Sequence, residues 1–134
     1  MSIASTIALS GMNAATLRLR VSASNVANAS SDGPLPGAAN ATGYPAAYGA
    51  LQVDQTASAG GNTNATVIPV SPGTVPAYDP TAPYADSQGM VASPNVDLGS
   101  EIVQQLMARY TFAANAQVGR ADAQMTASLL NITA

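Results

Sequence analysis

Large apolar residues return at helical spacing at the two ends of the chain and almost nowhere between. From Ser2 to Asn28 there is no proline and a single glycine, Gly11, while Ile3, Ile7, Ala14, Leu17 and Val21 follow steps of four, seven, three and four. That spacing is the seam of an amphipathic helix. Ser2 or Ser5 is placed to cap its start. Asn28-Ala29-Ser30-Ser31-Asp32-Gly33-Pro34 ends it with residues that compete for backbone hydrogen bonds or cannot continue a helix. At the other end Ile102, Leu106, Tyr110, Ala114, Val118, Ala121, Met125, Leu129 and Ile132 mark a second, longer helix, its stripe widened by Val103, Met107, Ala113 and Leu130. Asn95 or Asp97 is its candidate N-cap, and Glu101 adds a negative charge near the first turn, where the helix dipole favours one.

Between Asp32 and Ser93 the texture changes to proline and glycine punctuation. Ala50 to Gln55 and Thr66 to Val70 read as short strands, separated by the turn signal Gly60-Gly61-Asn62. The same stretch also fits partial disorder relieved on binding, because it is poor in aromatics and rich in Ala, Thr and Asn. The expected architecture is mainly α: terminal helices pairing as an antiparallel, coiled-coil-like hairpin around an irregular or β-hairpin middle. It forms one structural unit of three segments, 1–30, 31–93 and 94–134.

Composition sharpens this picture. Only 8% of the 134 residues are charged, with no lysine and a formal net charge of -3, against a surface that is about 25 to 35% charged in a free small domain. So uncharged a chain suits burial against other protein. The helices are expected to be weakly ordered alone and to fold fully on contact with other copies or relatives. Nucleic acid is disfavoured, since Arg18, Arg20, Arg109 and Arg120 lie in two distant segments and phosphate neutralisation needs clustered cations. Cysteine is absent, which excludes disulfides and thiolate metal sites. The first positive charges, Arg18 and Arg20, follow the apolar N-terminal stretch, an order wrong for a cleaved secretory signal.

Reaction chemistry finds little to work with. Histidine is absent, removing the commonest general base and metal ligand. The carboxylates Asp32, Asp54, Asp79, Asp86, Asp97, Glu101 and Asp122 are mostly isolated in sequence, and no phosphate-binding glycine loop or nucleophile elbow occurs. No enzymatic activity, cofactor, metal or small-molecule substrate is expected.

Two motifs point further. Ser24-Asn25-Val26-Ala27-Asn28-Ala29 resembles the S-x-N-x-A-N signature closing the first helix of flagellar axial proteins. The stretch from Tyr78 to Asp97, with Tyr78, Pro80, Pro83, Ala85-Asp86, Gly89, Val91 and Pro94-Asn95-Val96, resembles the segment before the last helix in the C-type family of flagellar basal-body rod proteins. Arg109-Tyr110-Thr111-Phe112-Ala113-Ala114-Asn115 is similar to that family's arginine, aromatic and A-N elements. The matches cover roughly the first 30 and last 57 residues. Two departures stand out: Gly43-Tyr44-Pro45-Ala46-Ala47-Tyr48 carries tyrosines without the usual basic residues, and Gly119 replaces an expected aliphatic.

The resemblance implies a proximal-rod subunit that transmits torque and helps form the export channel. It implies export, unprocessed, through the flagellar type III apparatus, and periplasmic assembly with its own copies and other rod proteins near the membrane-embedded ring. Ile3, Ile7, Leu17 and Val21 on one helix and Ile102, Leu106, Tyr110, Val118 and Met125 on the other are the expected packing seam, within and between subunits. Asn25, Asn28 and Asn115 are expected to fix turns or bridge helices through their amides, with helix-end capping as the alternative. Pro94 and Asn95 are expected to set the entry to the second helix. Another axial subunit, B-type or hook-like, shares the first motif but not the second. A small secreted helical interaction protein remains the rival of another class.

Overall fold

A computed structural model describes residues 2–38 and 41–132; the outer limits of the two terminal segments, 1 and 133–134, lie outside them. Two helices frame the chain: α1, Ile3–Ala27, and α2, Leu98–Ile132. At about 1.5 Å per residue they are roughly 37 and 52 Å long. Ser2 caps α1, its Oγ accepting from Ser5 N–H at 3.1 Å, and Asn28 closes it. Asp97 caps α2, with Oδ1 accepting from Gly99 N–H at 2.9 Å and Ser100 N–H at 3.3 Å. Asn95, the other candidate cap, instead donates its amide to Pro72 O at 2.9 Å and its backbone N–H to Gly73 O at 3.0 Å.

The middle folds into two antiparallel hairpins. β1, Leu51–Ala57, pairs with β2, Thr63–Pro69, in the register Leu51↔Pro69 to Ala57↔Thr63. This is the anticipated hairpin with its strands shifted by one to three residues. β3, Thr74–Tyr78, pairs with β4, Met90–Pro94, and Gly33 adds a bridge on the free side of β4 at Ala92. The sequence did not signal this second hairpin: Pro76 interrupts β3, and proline demotes a run to an edge strand or a loop. Its partner Ala92 is a β4 residue whose own amide is used by Gly33 O at 2.8 Å, so β3 stays at the edge.

α1 lies between α2 and the first hairpin. Along α1, Asn25 meets Leu51, Arg18 Nη2 donates to Gln55 Oε1 at 2.7 Å, and Ser10 Oγ accepts from Thr63 N–H at 3.1 Å. The turn at Gly61 reaches the Ile7 side chain, since a Cβ there would lie 3.1 Å from Ile7 Cδ1. β1 therefore runs antiparallel to α1. The buried core is small and made of small side chains: Ala8, Ala14, Ala15, Ala50, Ala92 and Ala108 with Val21 and Val91.

Candidate assembly surface

The close contacts between the two helices are made chiefly by short side chains and polar groups. Ser22 Oγ donates to Glu101 O at 3.1 Å, Ala15 and Ala108 flank one cleft, and a Cβ added at Gly11 would sit 2.6 Å from Asn115 Oδ1. These pairs run in opposite directions along the two chains, so the helices are antiparallel. On α1 the facing positions Ala15 and Ser22 are seven apart, as are Glu101, Ala108 and Asn115 on α2, and Gly11 is the α1 residue that meets Asn115. The absent or short side chains of Gly11, Ala15, Ser22 and Ala108 let the helix backbones approach closely.

The expected seam residues divide into three groups. Val21 is buried and Ile7 half-buried on the side of α1 that meets the first hairpin, and Leu17 flanks a cleft with Thr63 and Ala65. Ile3 is exposed. On α2, Ile102 (64% exposed), Leu106, Tyr110 (68%), Val118 and Met125 all face outward, and Ala108 is the buried residue of that helix. The large residues of the expected α2 seam thus lie mostly outside the contact within the chain, whereas Phe112 flanks the cleft with Ala15, Leu19 and Ala108. Leu98, Val103, Met107 and Leu129 extend the exposed apolar surface on the same helix.

Asn25 holds the three parts of the molecule together. Its side chain is 2% exposed. Nδ2 donates to Leu51 O at 2.7 Å and to Glu101 Oε1 at 2.6 Å, while Oδ1 accepts from Leu51 N–H at 3.0 Å and Tyr48 O–H at 2.9 Å. Two donors and two acceptor sites are the full capacity of an amide, and all four are used. Ser24 Oγ lies 3.1 Å from the Tyr48 hydroxyl. Sequence reading placed Glu101 as a dipole partner; its carboxylate also receives the Asn25 amide. Asn28, by contrast, turns back on its own helix, donating to Ser24 O at 2.9 Å. Asn115 donates to Thr111 O at 2.8 Å, in mid-helix. Pro94 is buried at the end of β4.

The Tyr78 to Asp97 stretch is a scaffold of local bonds. Asp79 accepts from Thr81 Oγ1 at 2.6 Å and Thr81 N–H at 3.0 Å, which holds its carboxyl below the ordinary carboxylate value. Asp86 accepts from Gln88 and Met90 N–H, both at 2.8 Å. Tyr44, from the segment without basic residues, packs on Tyr84 with ring centroids 5.4 Å apart. A polar cleft of about 320 Å³ opens beside Arg18, Asn25, Asp97 and Glu101. Among the described residues no helix is long and apolar enough to cross a membrane, and no group of three or more His, Cys, Asp or Glu is placed to hold a metal ion.

Comparison with known proteins fits this framework. The family model described as "Flagella basal body rod protein" matches residues 6–34, the greater part of α1 and the chain leaving it. The flagellar basal-body rod protein FlgC of Agrobacterium fabrum is 34% identical over 133 residues, covering 98% of this chain and 94% of the relative. The proteins of the same description from Escherichia coli O6:H1 and Salmonella typhimurium are each 37% identical over 115 residues, 84% of this chain and 82% of theirs.

Proposed function

This chain belongs to the flagellar basal-body rod protein family, among its FlgC-type members, and we propose that it builds the proximal rod through the outward face of α2. It is a structural subunit of the basal-body rod. The observation that carries the proposal is the division of labour along α2: the small residues Ala108 and Asn115 meet α1, and Ile102, Leu106, Tyr110, Val118 and Met125 are left for neighbours. So many exposed large apolar side chains along one helix are the mark of an interaction site. The heptad spacing of the small residues supports a coiled-coil-like pairing within the subunit. The three segments act as one unit, because Asn25 bonds the first to both others.

Copies of the chain and other rod proteins cover the exposed stripe near the membrane-embedded ring, forming a shaft that carries torque and encloses the export channel. The chain reaches the periplasm unprocessed, through the flagellar type III apparatus. Its terminal helices are weakly ordered until these neighbours are present. Removing α2 tests the assignment in cells whose own copy is replaced. The shortened chain is expected to be made, to be missing from isolated basal bodies, and to leave the cells non-motile. Normal motility would contradict the proposal.

A further inference from the structure

A seam of alanine against alanine has little to fix its register. Slipping α1 by seven residues, about 10 Å along the axis, sets Ala8 rather than Ala15 against Ala108, so the alanine contact itself does not oppose the slip. Something must distinguish these alignments. At the α2 N-terminal end the Asn25 and Ser22 bonds to Glu101 do so. At the far end stands an unusual contact: the Asn115 amide occupies the space where a side chain on Gly11 would begin, with Oδ1, Cγ and Nδ2 all 2.6 to 2.7 Å from an added Cβ. The amide is held in that notch by its bond to Thr111 O at 2.8 Å. One heptad to either side of Gly11 on α1 stand Ala4 and Arg18, each with a Cβ. Among these three positions the notch exists only at Gly11.

We propose that Gly11 and Asn115 form a register lock, in which the amide seated in the glycine notch sets the longitudinal alignment of α1 and α2. A polar residue seated in a helix seam is a known way of choosing register. The alignment has a consequence for the outer surface. With Gly11 opposite Asn115, Ile3 falls beside residue 123, and the segment 123–132, exposed throughout, reaches roughly 14 Å beyond α1. A slip of seven residues would lengthen or shorten this projection by most of its own length. That consequence rests on the assembly role of α2; the lock itself does not.

The natural absence of cysteine makes introduced pairs clean reporters. One version carries Ala15→Cys with Ala108→Cys, reading the native register, and another Ala8→Cys with Ala108→Cys, reading the slipped one. Each purified full chain is oxidised and the intrachain cross-link measured, alone and combined with Gly11→Ala, Asn115→Ala or both. The lock predicts a several-fold fall in the ratio of native to slipped cross-link for each single change. Because both changes unmake one contact, the double change should fall no further than either alone. Helix propensity predicts the reverse for Gly11→Ala, since alanine is the better helix former. A ratio unchanged by either single substitution, or a double variant falling as the product of the two, would overturn the proposal. Swimming of cells carrying the same substitutions reads the consequence for assembly: loss of register with normal motility would leave the lock standing and contradict the role given to the projecting segment.

Discussion

At the scale of single residues, the most consequential side chain is the Asn25 amide, whose four bonds reach α2, β1 and Tyr48. Replacing it by alanine leaves Leu51 N–H and O and one Glu101 oxygen without their partner. Water in the adjacent cleft can take some of these, so Asn25→Ala is expected to lower stability by about 1 to 3 kcal/mol, measured by denaturant unfolding. Asn25→Asp should cost more, because it removes both donors and sets a second carboxylate at the distance of the present 2.6 Å bond to Glu101. Asp97 acts differently. The Ser100 hydroxyl, then the Ser100 and Gly99 N–H groups, lower its pKa below the ordinary value. A carboxyl whose folded pKa lies below its unfolded one stabilises the fold fully above the unfolded value, and the benefit fades as pH falls through the folded value. The helicity of α2 should therefore weaken on acidification below about pH 4. Asp97→Asn, which keeps a capping oxygen but cannot ionise, should remove this residue's share of that dependence in a circular dichroism titration.

At the scale of elements, α2 is least secured beyond Asn115, where its residues turn largely exposed. Gly119 stands there with no atom within 4 Å of an added Cβ. Gly119→Ala should thus add helix stability of about 1 kcal/mol without a clash, read as a gain in helical signal of the free chain. Both helices were legible in sequence, because proline-free apolar periodicity and Ser2, Asp97 and Asn28 mark their extents. The contact between them was not. Isoleucine and leucine dominate any reading of hydrophobic pattern, whereas the seam uses Ala8, Gly11, Ala15, Ser22 and Ala108, which carry almost no hydrophobic signal. The first hairpin announced itself through Val67, Ile68 and the Gly60-Gly61 turn. The second did not, since Pro76 obscures β3 and its pairing with β4 spans a long loop braced by Asp79 and Asp86. The Asn25 motif was visible, but its partners Tyr48, Leu51 and Glu101 come from distant sequence.

At the scale of the whole molecule, a small-residue interior and a large-residue exterior go together. The fold keeps its bulkiest apolar side chains outside its own core, which is unfavourable for a free chain in water and favourable for a subunit that is covered on arrival. The polar junction at Asn25 gives the subunit a fixed centre. Cysteine labelling at the exposed stripe tests this most directly, because the chain has no thiol of its own. With Leu106→Cys in an otherwise unchanged chain, a soluble thiol reagent should modify the free subunit rapidly and the same subunit in isolated basal bodies many-fold more slowly. Equal labelling in the two states, or a thiol already protected in the free chain, would contradict the assignment of α2's outer face to rod assembly.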